Sequence, residues 1–207
     1  AKGGFYHAGQ VCVSVQRIFA HHSIAKSVAN GLAKEAKALK VGDPTKAKTE
    51  VGPLIRPREV DRVAEWVEEA KAGGAKVLAG GKRLSKTCYA PTVLWDPPKN
   101  ARVSQNEVFG PVVCVYPVRS LDQAIKRANS LDVSFQAAVF TQDMDTALRV
   151  YKRIDGSAVM LNDHTAFRVD WMPFTGLKHS GHGTGGIHHT MEEMQIKKMM
   201  VLNSPEL

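Results

Sequence analysis

The sequence predicts an α/β fold in which a mostly parallel sheet is flanked by helices. Short apolar stretches alternate with segments of helical periodicity along most of the 207 residues. That alternation is typical of parallel strands joined by crossover helices. A hydrophobic content of 43% is also sufficient for one well-packed core. We therefore expect one main domain with a small C-terminal extension.

The first half of the chain is predicted to contain two helices among strands and apolar stretches. We expect a strand over residues 11–20, followed by a helix over 24–39 with Ser23 as its N-cap. A second helix is predicted over 58–72, because five apolar residues recur on one face and Gly73-Gly74 follows. These five are Val60, Val63, Ala64, Val67 and Ala70. A short strand at 76–79 and apolar stretches at 90–94 and 111–118 complete this half.

The second half continues the alternation and then loses it. Its predicted elements are a helix over about 121–130, a strand over 137–141, a helix over 144–154 and a strand over 157–162. The next segment, His164–Gly186, has no clear periodicity and is predicted to be a long loop.

Residues 196–202 are predicted to form a protruding C-terminal strand. Its apolar members are Ile196, Met199, Met200, Val201 and Leu202. An open strand edge is a natural site for pairing with another chain. We therefore expect a homo-oligomer that forms through this strand, the alternative being a tail folded back on its own sheet.

The charge pattern favours a solvated surface over a nucleic-acid interface. The net charge is +8, but basic and acidic residues are interleaved, as in residues 58–62. A phosphate backbone selects a clustered basic stripe instead. No apolar run reaches the length of a membrane span, and residues 1–4 lack the apolar core of a signal peptide. We expect no nucleic-acid or membrane partner and a cytoplasmic location.

Three cysteines, Cys12, Cys88 and Cys114, are spread widely along the chain. Their odd number and the lack of a CxxC pair predict reduced thiols and no cysteine-based zinc site. The histidines within 179–189 show no second ligand type or helical spacing, so we expect no metal site. Cys88 and Cys114 are expected to be buried. Cys12 differs, because it lies in a segment typical of a nucleophile loop that runs into a strand.

Four motifs together carry a family resemblance. They are Phe5–Arg17, which includes Gly9-Gln10-Val11-Cys12, then Val51–Ile55, Asn106–Val113, and Asn162 with Met172–Gly183. In this order and at these separations they resemble the C-terminal half of the NAD(P)-dependent aldehyde dehydrogenase superfamily, from Phe5 to about Leu202. Residues 12–18 and 167–173 are most similar to its lactaldehyde and non-phosphorylating glyceraldehyde-phosphate dehydrogenase branch.

The resemblance implies covalent catalysis at Cys12. Its thiolate would add to an aldehyde, and the thiohemiacetal would lose hydride to NAD or NADP and leave a thioester for water to hydrolyse. The backbone N–H of Cys12 is a candidate oxyanion donor. Glu107 is implied to bind the nicotinamide ribose, and Phe109 to pack near the nicotinamide ring. Without the other motifs, Glu107 would be interpreted as a surface carboxylate and Phe109 as a core aromatic.

The resemblance also implies an aldehyde tunnel lined by Phe167 and Phe174, with Asn162 as a loop anchor. Arg168 has two interpretations. If it points into the tunnel, its guanidinium selects aldehydes that carry an anionic group. The alternative is an ion pair with a neighbouring aspartate, Asp170 or Asp163.

Residues 1–190 are thus expected to form the thiol-bearing catalytic domain, and residues 191–207 the oligomerisation strand and tail. The family's dinucleotide-binding half, with its general-base glutamate and oxyanion asparagine, has no match in these residues. We therefore expect the chain to be part of a longer enzyme and to be inactive alone. Two alternatives stay open, a catalytically silent assembly module and a basic module that binds nucleic acid.

Overall fold

The computed structural model describes residues 1–206 and confirms the α/β class. The helices are α1 (Lys2–Phe5), α2 (His22–Ala38), α3 (Pro57–Ala72), α4 (Arg102–Gln105), α5 (Leu121–Ala128), α6 (Met144–Arg153) and α7 (Ile187–Glu193), and a 3-10 turn spans Tyr6–Gly9. The strands are β1 (Arg17–His21), β2 (Lys76–Ala79), β3 (Thr92–Trp95), β4 (Val112–Val118), β5 (Val133–Ser134), β6 (Gln136–Val139), β7 (Ala158–Leu161) and β8 (Leu177–Lys178).

A four-stranded sheet in the order β1-β4-β3-β2 forms the centre of the fold. Strands β1, β4 and β3 are parallel, whereas β2 is antiparallel and lies at one edge. Every residue of β4 except Pro117 is buried. A strand buried on both faces has a continuous apolar sequence. This explains why the stretch at 111–118 could be identified from the sequence.

Helices α2 and α3 supply small and β-branched side chains to the core beside the sheet. Helix α2 buries Ala25, Ala29, Leu32, Ala33 and Ala36, and α3 buries Val60, Val63, Val67 and Ala70. Most of these side chains join one hydrophobic cluster with β3 and β4. Pro57 occupies the first turn of α3, where its fixed φ favours the helical start. The predicted helix over 58–72 is therefore confirmed.

Two predicted boundaries are wrong, namely the start of β1 and the start of α2. Strand β1 begins at Arg17 instead of residue 11, because residues 11–16 use their backbone groups in turns and loop contacts. For example, the backbone N–H of Ser14 donates to the carbonyl of Val11 at 2.9 Å. Helix α2 begins at His22, and Ser23 is not its cap, because the Ser23 hydroxyl contacts Nδ1 of His21 at 2.8 Å.

The C-terminal third contains two smaller strand pairs. Strands β6 and β7 are parallel and are connected by α6, whose N-cap Asp143 accepts a hydrogen bond from the Thr146 N–H at 2.9 Å. Strands β5 and β8 form a short antiparallel pair. The helices and strands predicted between residues 121 and 162 are confirmed apart from their end residues.

Residues 195–206 form neither helix nor strand, so the strand predicted over 196–202 is absent from the single chain. The five apolar side chains predicted there are 65–95% exposed. A strand needs a hydrogen-bonded neighbour, and pairing with another chain therefore stays a prediction. The predicted domain boundary at residue 190 falls within α7. Within residues 1–206, no helix is both long and apolar enough to span a bilayer.

Candidate active site

The loop before β1 presents Cys12 at the surface. Three successive residues upstream have left-handed φ angles: His7 (48°), Ala8 (55°) and Gly9 (70°). Such backbone is rare for residues other than glycine and is concentrated at functional sites. Cys12 is exposed, whereas Cys88 and Cys114 are buried. Burial also raises the pKa of the Cys114 thiol to about 12, so Cys12 is the cysteine that a dissolved electrophile can reach.

Gly9 touches the loop that carries Glu107 and Phe109. A Cβ atom at Gly9 would lie 2.1 Å from the carbonyl oxygen of Gly110. Only glycine allows these two backbones to approach so closely, and its φ of +70° is a second reason for glycine. The contact brings together the first and third of the sequence motifs.

Two side chains tether the Cys12 loop to other distant segments. The amide of Gln10 accepts a hydrogen bond from the Ile55 N–H at 2.9 Å and donates to the carbonyl of Pro53 at 3.3 Å. The buried hydroxyl of Thr165 donates to the carbonyl of Val13 at 2.5 Å. Neither tether was predicted, because each partner is remote in the chain and no local pattern identifies it.

Glu107 and Phe109 lie on a loop that presents both side chains to solvent. Phe109 has a φ of 46° and is 42% exposed, so its interpretation as a core aromatic is wrong. The exposed ring is accessible to a ligand or to another protein segment. Glu107 is exposed as a residue, but partial burial of its carboxyl raises its pKa, while Arg62 acts in the opposite direction.

A groove of about 960 Å³ opens beside the Cys12 loop. Its lining includes His7, Gln10 and Val11 from that loop, together with Phe109 and the first turns of α3. A second cavity of about 30 Å³ lies where the Cys12 loop meets residues 107–110. Val11 and Phe109 line both cavities. Cys12 follows Val11 directly in the chain but is not itself among the residues that line either cavity.

An ion-pair cluster at the start of α3 contributes Arg56, Glu59 and Arg62 to the lining of this groove, which also includes Glu50. Three guanidinium groups, those of Arg56, Arg58 and Arg62, contact the single carboxylate of Glu59 at 3.2, 3.2 and 2.9 Å. These hydrogen bonds, chiefly the one from Arg62, lower the pKa of Glu59 to about 2. Arg58 does not line the groove, and the two guanidinium groups that do are balanced there by the carboxylates of Glu50 and Glu59. The sequence analysis interpreted residues 58–62 only as interleaved surface charge, because the convergence on Glu59 depends on side-chain geometry.

The long loop after β7 starts at an anchored residue. Asn162 has a φ of 58°, and its side-chain amide both donates to and accepts from the backbone of Thr141 at 2.9 Å. This geometry confirms the predicted role of Asn162 as a loop anchor. Thr165, three residues later, then ties the same loop to the Cys12 segment.

Arg168 and Phe174 lie together in this loop. The Arg168 guanidinium carbon is 4.4 Å from the centre of the Phe174 ring, and its Nη1 donates to the carbonyl of Met172 at 3.2 Å. The Phe174 ring packs edge-on against Phe135 at 4.7 Å. Within residues 1–206, Arg168 makes no ion pair with a carboxylate within 4.0 Å. The alternative of an ion pair with a neighbouring aspartate is therefore wrong. Phe167 is 50% exposed.

The histidines near the C-terminus lie on an exposed stretch of chain. His188 contacts Glu192 at 3.4 Å, and its ring packs against His189. In the part of the chain that the structure describes, no three histidine, cysteine or acidic side chains come together as a metal site.

Comparisons with known proteins point to one family. The model of the Aldehyde dehydrogenase family matches residues 1–200. The 3-sulfolactaldehyde dehydrogenase of Priestia aryabhattai is 41% identical over 203 residues, which are 98% of this chain and 42% of that relative.

Two solved structures share the fold at more than 30% identity. Aldehyde dehydrogenase 21 from Physcomitrella patens, in complex with the reaction product succinate, has a TM-score of 0.90 and 36% identity, over 93% of this chain and 40% of that one. Glyceraldehyde-3-phosphate dehydrogenase GapN from Methanocaldococcus jannaschii, complexed with NADP, has a TM-score of 0.89 and 38% identity, over 93% of this chain and 42% of that one. The chain thus spans less than half the length of these relatives.

Proposed function

The chain belongs to the aldehyde dehydrogenase family, and we propose that it carries the nucleophile of an enzyme that oxidises an aldehyde to a carboxylic acid with NAD or NADP. The observation that carries this proposal is the setting of Cys12. Of the three cysteines it alone is exposed, and close backbone contact holds its loop against the loop of Glu107 and Phe109.

Cys12 performs the covalent step in this proposal. Its thiolate forms a bond to the aldehyde carbon and gives a thiohemiacetal whose oxygen carries the negative charge. The backbone N–H of Cys12 donates no hydrogen bond within residues 1–206, so it is available to that oxygen. Loss of hydride from the same carbon leaves a thioester, and water cleaves its C–S bond to release the acid and restore the thiol. When bound, NAD or NADP supplies the hydride acceptor.

The residues beside Cys12 fit a nicotinamide cofactor. Phe109 offers an exposed ring for a planar partner, and Glu107 offers a carboxylate that accepts hydrogen bonds from ribose hydroxyls. A groove of about 960 Å³ is in the range of natural ligand sites. Arg56 and Arg62 in its lining offer guanidinium donors to a diphosphate. The NADP bound to the archaeal relative supports the same cofactor class.

The proposal is tested with the product of the complete gene that encodes these residues. Incubation with an aldehyde and NAD or NADP should give reduced cofactor. After a rapid acid quench, the acyl adduct should be found on the peptide that contains Cys12, and peptides containing Cys88 or Cys114 should be unmodified. Cofactor reduction without an adduct on Cys12 would contradict the mechanism. The same assay on the 207 residues alone checks the prediction that they do not oxidise aldehydes efficiently.

The proposed substrate carries an anionic group that Arg168 binds, next to Phe167 and Phe174. Support comes from the charge of Arg168, which has no carboxylate partner within 4.0 Å in residues 1–206. The Phe174 ring, 4.4 Å from the guanidinium carbon, adds a stacking contact. The relatives supply a second argument. One is named for a sulfonated aldehyde, another for a phosphorylated aldehyde, and a third was solved with succinate.

Replacing Arg168 by alanine should therefore change substrate preference. We expect kcat/KM for a carboxylated or sulfonated aldehyde to fall about 10- to 100-fold, because a charge-assisted hydrogen bond contributes about 1.5–3 kcal/mol. The value for a neutral aldehyde of similar size should change less than about threefold. Arg153→Ala, which removes a surface arginine paired with Asp122, is the control. Equal losses for both aldehydes would assign Arg168 to loop structure instead.

Residues 1–190 act as the thiol domain in this proposal, and residues 191–207 as the assembly segment of a homo-oligomer. The apolar side chains of 196–202 are 65–95% exposed in the single chain. A cluster of exposed apolar residues in one short segment is typical of a protein interface. The same exposure supports a second candidate function, that of an assembly module.

A further inference from the structure

Gln16 binds the loop of Glu107 through three hydrogen bonds. Its Nε2 donates to the carbonyls of Val103 at 3.0 Å and Asn106 at 2.8 Å. Its Oε1 accepts a hydrogen bond from the Val108 N–H at 2.8 Å. Two of these contacts fall on the residues immediately before and after Glu107. One side chain therefore holds the backbone on both sides of that carboxylate, with its donor and acceptor groups both used.

This clamp is the second of two attachments that flank Cys12. Gly9 precedes Cys12 by three residues and touches Gly110, whereas Gln16 follows Cys12 by four residues. The cavity of about 30 Å³ between the two loops is lined by Gly9, Gln16 and Glu107, among others. The segment that carries the thiol is thus fixed to the Glu107 loop at both of its ends.

We propose that Gln16 is a positioning residue that fixes the Glu107 carboxylate and the Phe109 ring relative to the Cys12 thiol. The inference rests on the proposed function, because it assumes that Glu107 and Phe109 bind the cofactor. The side-chain amide of Gln16 bonds only to backbone atoms. It therefore acts on Glu107 and Phe109 through the backbone at Asn106 and Val108. Its loss weakens cofactor binding and leaves the intrinsic reactivity of the thiol unchanged.

Two substitutions separate this role from a purely structural one. Gln16→Met keeps the side-chain length and removes all three hydrogen bonds. Gln16→Glu keeps the shape, and its protonated form still donates one hydrogen bond and accepts another. Its ionised form instead places a carboxylate against the carbonyls of Val103 and Asn106, which is unfavourable. Gln105→Met is the matched control. The Gln105 amide donates to the carbonyl of Lys99, which precedes α4, whereas Glu107 follows α4.

The complete gene product is the protein to use. Gln16→Met should raise the dissociation constant of NADH or NADPH, measured by fluorescence, about tenfold, as expected for one net hydrogen bond to the loop. The alkylation rate of Cys12 by iodoacetamide should stay within about twofold of wild type. Relative to wild type at the same pH, Gln16→Glu should show the binding defect at about pH 8 and lose most of it at about pH 5, where a carboxyl beside carbonyl oxygens is protonated. Gln105→Met should bind the cofactor as wild type does at each pH.

The outcomes that overturn the inference differ from those that overturn the proposed function. If Gln16→Met accelerates hydrogen exchange at Val108 but leaves cofactor affinity unchanged, Gln16 is only structural and the proposed function stands. If wild type binds neither cofactor and forms no adduct on Cys12, the proposed function fails first. If Gln16→Met does not fold, the pH dependence of Gln16→Glu decides the question, since a defect equal at both pH values contradicts positioning.

Discussion

Cys12→Ser should abolish aldehyde oxidation by the complete gene product, with a fall in kcat of at least about a thousandfold, the scale seen when a covalent nucleophile is lost. A serine hydroxyl is a far weaker nucleophile than a thiolate near neutral pH. The two remaining cysteines are buried and cannot replace Cys12. The measurement is the initial rate of cofactor reduction at saturating aldehyde.

Cys88→Ala is the matched control for this substitution. Cys88 is buried, whereas Cys12 is exposed, and the Cys88 backbone N–H donates to the Ser85 hydroxyl. Its replacement should leave kcat within about threefold of wild type. A Cys12→Ser protein that kept a tenth or more of the activity would show that another group forms the covalent bond.

Gly9→Ala should destabilise the fold by at least about 3 kcal/mol, a large effect for one methyl group. The added Cβ would lie 2.1 Å from the carbonyl oxygen of Gly110, a backbone atom that no side-chain rotation can move away. The φ of +70° adds strain for any L side chain. The free energy of unfolding in urea, measured by circular dichroism, tests this expectation.

Two other glycines separate the causes. Gly74 has a φ of +104° but open space around its Cβ position, so Gly74→Ala should cost only about 1 kcal/mol from backbone strain. Gly31 lies in α2 with nothing within 4 Å, so Gly31→Ala should stabilise the helix by up to about 1 kcal/mol. If Gly9→Ala cost no more than Gly74→Ala, the two loops would not be in the contact described.

The elements that could be predicted are those specified by local patterns. Helix α3 has an apolar residue on one face at each turn and a Gly-Gly pair at its end, and it was predicted to within one residue at its start. Strand β4 is a continuous apolar run because both of its faces are buried. Each pattern lies within the element itself, so no knowledge of the partner is needed.

The elements that could not be predicted depend on distant partners. Residues 11–16 have the composition of a strand, but their backbone groups bond to turns and to the N-terminal segment, so β1 starts at Arg17. Residues 196–202 also have strand composition and yet form no strand, because a strand exists only where another segment completes its hydrogen bonds.

Motif order and periodicity are properties of the chain, and they were sufficient to predict the α/β class and the family. The exposure of the Cys12 thiol and of the Phe109 ring became visible only in the folded chain. The tertiary structure also decided that Gly9 and Gln16 fix the thiol segment to the loop of Glu107. These facts follow from contacts between segments about a hundred residues apart, and such contacts arise when the chain packs, which no local pattern records.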